Sequence, residues 1–327
     1  MIHPASPDNI NKAARLIRNG GLVAFPTETV YGLGANAFNP AAVEKIFAIK
    51  KRPHFDPLIV HLADQAQVES VAEVDCAHRI SQLQKLSAFW PGPLSVVLPR
   101  KSTVPAVVTA GLPSVAVRVP SHPVCRAFLR ACALPVAAPS ANPFGYVSPT
   151  SATHVEKYFS DSIEMILDGG DCPVGLESTI ISLLGEIPLL LRHGAVTLEM
   201  LRAALGDVQE GATGSAGENP TAPGMLKEHY APRTPVVLRH DIKPADLPGR
   251  TGLITFNAQA SSQSDAAFSR IIALSAAGDL EEVARGLFAA LHEMDGLKLD
   301  LIVVDSCENR GLGRAIMDRL TRAAAKS

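Results

Sequence analysis

Residues 207–234 divide the sequence into two parts, because apolar periodicity stops there and Gly, Ser, Ala, Thr and Pro dominate. This composition is typical of a linker or a long loop. Short apolar runs alternate with helix-like segments on both sides of it, which favours an α/β fold in each part. A chain of 327 residues is also long for a single core. We therefore expect two domains, residues 1–206 and 235–327, joined by this linker.

The first part predicts many short strands and few long helices. Two of its helices have clear starts, since Asn39 precedes a proline and Thr197 precedes Glu199. This pattern favours a twisted mixed sheet with helices over a regular doubly wound sheet. The strand candidates are Leu22–Phe25, Leu58–Leu62, Ser95–Leu98, Ser114–Val119, Pro135–Ala138, Met165–Asp168, Ser178–Leu184 and Leu189–Arg192.

The second part repeats the alternation on a smaller scale. Four strand candidates and two helix candidates, Leu280–Leu297 and Gly313–Ala325, follow the linker. Asp279 is placed to cap the longer helix. This order suits a small three-layer α/β domain. The dinucleotide-binding signature GxGxxG is absent from this part of the sequence, which argues against a nucleotide site there.

Charge and hydropathy narrow the class of protein. The net charge is −2, and Lys and Arg nearly balance Asp and Glu on both sides of the linker, so we expect no broad nucleic-acid-binding face. No apolar run approaches the ~20 residues that cross a bilayer, and the first residues show no secretory signal. The five cysteines are scattered, as free thiols in a reducing compartment are. We expect a soluble, cytoplasmic protein.

Polar side chains form five clusters where loops should leave strands. The first, Pro26–Leu33 (PTETVYGL), carries two hydroxyls, a carboxylate and a phenol, and is either a hydrogen-bonded turn or a binding loop. The second, Lys50–Pro53, closes a helix. Its cations either complement the helix dipole or clamp a polyphosphate, for which Arg offers a flat donor fork and Lys a point charge.

The third cluster is Arg118, which lies on an otherwise apolar strand. A buried arginine is costly without an anion, so we expect either an internal Asp or Glu or a ligand carboxylate to pair with it. His61 lies inside the apolar run LIVHL. It is either a satisfied core histidine or the group that holds a small carboxylate or hydroxyl.

The last two clusters are the loop Ala138–Thr150 and the segment Gly175–Ile180, which has Leu189–Gly194 as its expected hairpin partner. Such loops present hydroxyls and backbone N–H groups to an anion. The chain contains neither GxxxxGK[ST] nor GxSxG. The five clusters together suit a site that positions a polyphosphate and a small polar substrate, as in phosphoryl or nucleotidyl transfer.

These clusters, in this order, resemble the threonylcarbamoyl-AMP synthase family. The resemblance spans about residues 10–205 and is carried by PTETVYGLG, IKKRP followed by PLIVHL, AVRVP, APSAN with SPT, ESTI and LRHG. The segment APGMLKEHYAP resembles the linker of the family's long-form members. The resemblance implies a YrdC-like catalytic domain with a twisted mixed open sheet, followed by a smaller Rossmann-like α/β domain.

The resemblance also implies a reaction: L-threonine, bicarbonate (or CO2) and ATP give L-threonylcarbamoyl-adenylate and pyrophosphate, for threonylcarbamoyladenosine at position 37 of tRNA. It implies that Lys50 and Arg52 position substrates and stabilise charge, and that Arg118 pairs with the amino-acid carboxylate. The implied threonine-binding residues are Thr29, His61, Arg118, Ala138 and Ser178. The implied ATP-binding residues are Lys50, Arg52, Asp56, Ser114, Ser140, Asn142, Ser148, Arg192 and Tyr230.

Further expectations concern the metal, the linker and the first cluster. Magnesium is expected to arrive with ATP and to be held by phosphates and water. Asp56 departs from the asparagine of many relatives, and it would repel phosphate unless it pairs with Arg52 or binds the metal. Tyr230 and its linker are expected to cover the nucleotide as a lid. Thr29 is expected to face threonine, whereas Glu28 and Tyr31 hold the loop.

Two alternatives belong to other classes: a module that binds double-stranded RNA and a carbamoyl-transfer module of hydrogenase maturation. The charge balance argues against the first. The sequence before the catalytic motifs carries no acylphosphatase-like or zinc-finger segment, which argues against the second. The expected partners are ATP, L-threonine and bicarbonate, together with tRNA-modification proteins that accept the adenylate, and no membrane.

Overall fold

The computed structural model describes residues 1–211, 230–260 and 267–325. These residues form two sheets, one in each part of the chain, and both sheets pack against helices. The predicted α/β class, with a large mixed sheet and a second, smaller α/β domain, is confirmed. None of the helices in the described ranges is long and apolar enough to cross a membrane.

The elements are numbered in chain order. The strands of the first part are β1 (Ile2–Pro4), β2 (Val23–Phe25), β3 (Gly32–Asn36), β4 (Ile59–His61), β5 (Leu94–Pro99), β6 (Ser114–Arg118), β7 (Val136–Ala138), β8 (Met165–Asp168), β9 (Thr179–Ser182), β10 (Leu189–Arg192) and β11 (Gln209–Glu210). Those of the second part are β12 (Val236–Leu238), β13 (Thr251–Thr255), β14 (Arg270–Ala273) and β15 (Leu301–Val304). The helices are α1 (Pro7–Arg18), α2 (Pro40–Lys50), α3 (Ala77–Leu86), α4 (Pro123–Cys132), α5 (Ala152–Phe159), α6 (Leu198–Leu205), α7 (Leu280–Asp295) and α8 (Leu312–Ala324).

Three helices begin at the caps that the sequence predicts. Asn39, Thr197 and Asp279 each accept a hydrogen bond from a backbone N–H in the first turn of α2, α6 and α7, respectively. These bonds satisfy donors that have no partner inside a helix, which fixes where each helix starts. Helix α2 ends where Lys51, between Lys50 and Arg52, adopts a left-handed backbone conformation with φ of 52°.

The first sheet has mixed strand directions, in the order β1-β8-β2-β3-β7-β4-β6-β5-β9-β10-β11. Strand β4 runs parallel to β6 and antiparallel to β7. His61 on β4 lies beside Arg118 on β6, and Ile59 lies beside Ala138 on β7. Paired residues share a face, and residues two apart on one strand also share a face. The centre of the sheet therefore presents Ile59, His61, Arg118 and Ala138 on one side.

Strand β3 is absent from the predicted strands because its sequence, GLGAN, lacks the β-branched and aromatic residues typical of strands. Its glycine content reflects close packing instead. A Cβ atom on Gly34 would lie 2.8 Å from both the Phe25 ring and the Val136 side chain. Since β2 and β3 pair antiparallel, the polar residues of PTETVYGL form the connection between two adjacent strands.

The second sheet is parallel throughout, in the order β12-β15-β13-β14. Helices α7 and α8 pack on the same face, because their buried side chains share one hydrophobic cluster with Ile254 and Ile302. The opposite face is covered by Ile242, Leu247 and Phe268, which lie outside the α-helices. The prediction of three layers is therefore wrong for the part of this domain that the structure describes.

The predicted linker, 207–234, lies largely outside the described residues, which omit 212–229. Before this gap, β11 pairs with β10, so the first sheet continues past the predicted domain boundary at residue 206. After it, Tyr230 is buried. Of the predicted lid, only Tyr230 and the residues that follow it lie among the described residues.

The two domains share a hydrophobic cluster. Val30 and Leu176 of the first domain pack in it with Leu287 and Phe288 of α7. The backbones of the two domains pack tightly at Gly175, where a Cβ atom would lie 2.6 Å from backbone atoms of Ala284 and Arg285. Gly175 also has φ of +76°, a left-handed conformation that glycine adopts without strain.

Replacing Gly175 by alanine should therefore destabilise the protein in two ways. The left-handed backbone costs roughly 1–2 kcal/mol for a residue with a Cβ atom, and the clash with α7 adds about 1–3 kcal/mol. Gly145→Ala is the matched control, since φ there is +79° and a Cβ would meet nothing within 4 Å. Urea denaturation of both variants checks this. Equal losses of unfolding free energy would contradict the contact between Gly175 and α7.

Candidate active site

A pocket lies over the central strands of the first sheet. Ile59, His61, Arg118 and Ala138 form its floor, because β4, β6 and β7 present these side chains on one face. The connection after β2, the loop after β7 and the segment before β9 supply its walls. The sequence-predicted residues that line it are Thr29, Arg52, His61, Arg118, Ala138, Ser140, Ser178, Arg192 and Tyr230.

Arg118 is paired with an internal acid. Its Nη2 lies 2.7 Å from Oε1 of Glu28, and both side chains are buried. The other Glu28 oxygen accepts a hydrogen bond of 3.1 Å from the backbone N–H of Ser121. Within the described residues, Nε of Arg118 has no hydrogen-bond partner. The ion pair therefore fixes the guanidinium while part of its donor edge remains for a ligand.

The turn after β2 is held by hydroxyls. The Thr27 hydroxyl accepts from the backbone N–H groups of Thr29 and Val30, at 3.1 and 3.2 Å, and donates to the Val30 carbonyl at 2.6 Å. The Thr29 hydroxyl lies 2.9 Å from it. Tyr31 donates through its hydroxyl to the Gly170 carbonyl at 2.8 Å. Thr27 and Tyr31 therefore shape the turn, and Thr29 is left facing the pocket.

His61 is buried and stays neutral. Its Nδ1 lies 3.2 Å from the Ile59 carbonyl oxygen, so Nδ1 carries the proton. Burial and the neighbouring Arg118 lower the pKa of His61 to about 3. A neutral imidazole beside a guanidinium can bind a hydroxyl or a carboxylate without adding a second cation.

Arg52 lines the pocket, whereas Lys50 lies behind the wall. Arg52 pairs with Asp56 at 2.9 Å and donates to the carbonyls of Asp56 and Pro57. The Lys50 ammonium donates to the Ser140 carbonyl at 2.7 Å and also to the carbonyl of Asn142. Burial, then Arg52, lowers the pKa of Lys50, while Asp56 opposes this shift. Lys50 therefore anchors the loop that carries Ser140.

Other predicted residues also lie outside the pocket lining. The Asn142 amide donates to the carbonyls of Pro143 and Tyr146, at 2.9 and 2.8 Å, which folds the loop on itself. Ser148 donates through its hydroxyl to Glu177. Asp56 is occupied by Arg52, and Ser114 lies at the start of β6. These residues support the wall that Ser140 and Arg52 present.

The predicted hairpin of β9 and β10 is confirmed, and it brings Arg192 to Ser178. Arg192 donates through Nε to the Ser178 carbonyl at 3.1 Å and through Nη2 to the Ser178 hydroxyl at 3.2 Å. The hydroxyl of Ser95 lies 2.8 Å from that of Ser178. The Thr179 hydroxyl instead donates to the Val196 carbonyl at 2.7 Å, on the other side of the strand.

Sequence reasoning missed Glu177. It lines the pocket and pairs with Arg319 of α8 at 2.9 Å, so the second domain contributes to this wall. Its place next to Ser178 in the ESTI motif was the available signal. Tyr230 lies on the same side, with its ring centroid 5.6 Å from that of Phe288 on α7. Other missed lining residues are Thr27, Val30, Gly32, Ile59 and Pro139.

The geometry defines a class of enzyme. Three buried arginines, Arg52, Arg118 and Arg192, surround the hydroxyls of Thr29 and Ser178. Over residues 1–211, 230–260 and 267–325 there is no group of three or more His, Cys, Asp or Glu that could hold a metal ion. Such a site positions anions and stabilises charge, as nucleotidyl transfer requires.

Comparison with known proteins identifies the family. A family model described as "Telomere recombination" matches residues 15–194, and one described as "Threonylcarbamoyl-AMP synthase, C-terminal domain" matches residues 196–325. The chain belongs to the threonylcarbamoyl-AMP synthase family, whose members are nucleotidyltransferases that make threonylcarbamoyl-AMP. The family that the sequence motifs predicted is therefore confirmed.

Individual relatives cover almost the whole chain. Threonylcarbamoyl-AMP synthases of Bacillus subtilis and Pyrococcus abyssi are each 41% identical to it over 96% of its length, and it covers 92% and 94% of theirs. A crystal structure of P. abyssi Sua5 complexed with L-threonine matches with a TM-score of 0.91 and 39% identity, covering 99% of this chain and 97% of that one. The similarity includes both domains.

The buried pair of Arg52 and Asp56 predicts different effects for two substitutions. Asp56→Ala leaves the Arg52 charge buried without its partner, which should reduce the free energy of unfolding by about 3–5 kcal/mol. Asp56→Asn keeps the size and one acceptor oxygen, so its loss should be markedly smaller. Urea denaturation at neutral pH measures both, and an Asp56→Ala variant as stable as the wild type would show that the pair is dispensable.

Proposed function

We propose that this pocket makes L-threonylcarbamoyl-adenylate and pyrophosphate from L-threonine, bicarbonate (or CO2) and ATP. The observation that carries the proposal is the convergence of three buried arginines, Arg52, Arg118 and Arg192, on one pocket. The reaction brings two anions together, and cations on both sides offset their repulsion. The family membership of the chain supports the same activity.

We assign L-threonine to the side of the pocket with Thr29, His61, Arg118, Ala138 and Ser178. The substrate carboxylate pairs with the donor edge of Arg118 that Glu28 leaves open, since guanidinium binds carboxylates through parallel hydrogen bonds. The amine and hydroxyl of the substrate then form hydrogen bonds with the Thr29 and Ser178 hydroxyls and the neutral His61 ring. Ala138, which has no polar group, leaves space above the sheet.

We assign ATP to the side with Arg52, Ser140, Arg192 and Tyr230. The two arginines face the phosphates, and Ser140 adds a hydroxyl. Lys50, Asn142 and Ser148 act on this site from behind, because they hold the loop 138–150 through backbone carbonyls and Glu177. In this proposal Asp56 serves Arg52 and does not contact ATP.

The chemical steps need no covalent bond to the protein. The amine of threonine adds to the carbon of CO2 and loses a proton, which gives an N-carboxylate. One carboxylate oxygen then attacks the α-phosphorus of ATP, and the bond from that phosphorus to the bridging oxygen breaks. Pyrophosphate leaves with the electron pair. Arg52 and Arg192 stabilise the charge that develops on the phosphates, while Arg118 holds the nucleophile in place.

We propose that Mg²⁺ enters as part of the MgATP substrate. The acids around the pocket are paired with arginines: Glu28 with Arg118, Asp56 with Arg52 and Glu177 with Arg319. Phosphate oxygens and water are then the ligands left for the ion, as is usual for Mg²⁺. The bound ion supplies neutralisation of phosphate charge.

We further propose that the adenylate passes to tRNA-modification proteins and that the reaction takes place in the cytoplasm. All five cysteines are free, which suits a reducing compartment. A diffusing adenylate would be exposed to hydrolysis, so a protein acceptor that takes it directly is the partner that this chemistry favours.

The proposed activity is tested by pyrophosphate release from MgATP. We expect release to require both L-threonine and bicarbonate, because the N-carboxylate of threonine is the nucleophile. Omitting either substrate should reduce the rate to background. Release that is independent of threonine would reject the proposal, and so would release without formation of the adenylate.

Thr29→Ala should weaken threonine binding selectively. Losing one hydroxyl contact to a small polar substrate should raise the KM for L-threonine by about tenfold and change the KM for ATP by less than about twofold. Thr179→Ala is the matched control, because the Thr179 hydroxyl bonds to Val196 and lies outside the pocket. Steady-state kinetics measures both constants. Equal rises in the two KM values for Thr29→Ala would contradict the assignment.

A further inference from the structure

Arg319 reaches from the second domain into the wall of the pocket. It lies on α8 and is fully buried. Its Nε donates to Oε2 of Glu177 at 2.9 Å, and its Nη1 donates to Asp318 at 2.7 Å. The guanidinium carbon also lies 5.2 Å from the centroid of the Tyr230 ring, in the range of a cation–π contact. One side chain therefore contacts two residues that line the pocket.

Glu177 also contacts Ser148, in the loop after β7. Its Oε1 accepts a hydrogen bond from the Ser148 hydroxyl, so one carboxylate joins Arg319 to the loop 138–150. The same loop meets the second domain again where Nε2 of His292 donates to the Ser148 carbonyl at 3.1 Å. The position of Ser148 is thus set from both its side chain and its backbone.

The charge of Arg319 matters because Glu177 lines the same pocket as Arg52 and Arg192. A carboxylate without a partner there would either repel a polyphosphate or turn to pair with one of these two arginines. Either event would remove positive charge from the phosphate side of the pocket. Pairing with Arg319 prevents both, since it neutralises Glu177 from behind.

We propose that Arg319 is a positioning residue for ATP, which holds Glu177, and through it Ser148, and supports the Tyr230 ring in the nucleotide side of the pocket. The inference rests on the assignment of ATP to that side under the proposed function. It makes the second domain part of the nucleotide site even though Arg319 itself does not line the pocket. Burial lowers the pKa of Arg319, but Tyr230, Glu177 and Asp318 outweigh this and raise it, so the side chain stays charged.

The test uses the full-length chain and variants at Arg319, Glu177 and Arg322. Arg319→Met removes the charge and keeps much of the apolar volume. Arg319→Met combined with Glu177→Gln also removes the carboxylate that Arg319→Met leaves without a partner. Arg322→Met is the matched control, since Arg322 lies on the same helix and pairs with the same Asp318 at 2.9 Å. Pyrophosphate release gives KM values, and calorimetry gives the Kd of MgATP without turnover.

We expect Arg319→Met to raise the KM and Kd for MgATP by about tenfold or more, and the KM for L-threonine by less than about twofold. Adding Glu177→Gln should recover most of the lost affinity, because the uncompensated charge is gone. Arg322→Met should leave the affinity for MgATP unchanged. Arg319→Lys, which keeps a charge near Glu177 but loses the planar contact with Tyr230, should give an intermediate KM.

A purely structural role predicts another pattern. Arg319→Met would then lower the melting temperature and the apparent kcat, because less enzyme is folded, while the KM and Kd for MgATP stay at the wild-type values. That result, or the absence of recovery in the double variant, overturns the inference. If Arg319→Met does not fold, the affinity for MgATP is instead measured in Arg319→Lys and in Glu177→Gln. An affinity equal to that of the wild type in both variants overturns the inference.

The outcome also separates this inference from the proposed function. An active wild-type enzyme whose affinity for MgATP is insensitive to Arg319 would overturn the inference alone. A wild-type enzyme without threonine-dependent pyrophosphate release would overturn the proposed function, and the inference with it.

Discussion

Two of the buried arginines around the pocket, Arg118 and Arg52, are paired with carboxylates, and the first of these pairs ties distant segments of the chain together. A guanidinium removed from water is costly unless an anion compensates it. Arg118 on β6 meets Glu28 in the turn after β2, and Arg52 after α2 meets Asp56 four residues later. The pairing of Arg118 with Glu28 ties the PTETVYGL turn to the central strand β6, so one contact positions both a wall of the pocket and a charge that lines it.

An ion pair with one carboxylate leaves several N–H donors of a guanidinium for other partners. Each guanidinium has five N–H donors, and one carboxylate occupies two at most in a parallel pair. In Arg118 the Nε group is left, among the described residues, without a hydrogen-bond partner. The internal acid therefore holds the arginine in one orientation, with this donor available to a ligand. The sequence left an internal acid and a ligand carboxylate as alternatives for Arg118, whereas the geometry allows both.

The sequence was most informative where function depends on short segments. Caps at Asn39, Thr197 and Asp279, and the motifs around Thr29, Ser140 and Ser178, are local patterns that can be read directly. It was least informative where contacts are long-range or where a strand is made for close packing. The sequence GLGAN lacks strand-forming residues, because glycine at position 34 leaves room for the Phe25 and Val136 side chains. The direction in which Lys50 points, toward the carbonyls of Ser140 and Asn142, could not be deduced from its place after a helix.

The contact of Glu177 with Arg319 is the extreme case, because 142 positions separate the two residues and no local sequence pattern connects them. Arg319 also contacts Tyr230, near the end of the linker. Tyr230 lies between Phe288 of α7 and Arg319 of α8 while also lining the pocket. The end of the linker is therefore held by both domains, since the backbone N–H of Ala231 also donates to the Gly145 carbonyl of the first domain at 2.9 Å. Because Tyr230 lines the pocket and stacks on Phe288 of α7, the second domain shapes part of the pocket wall.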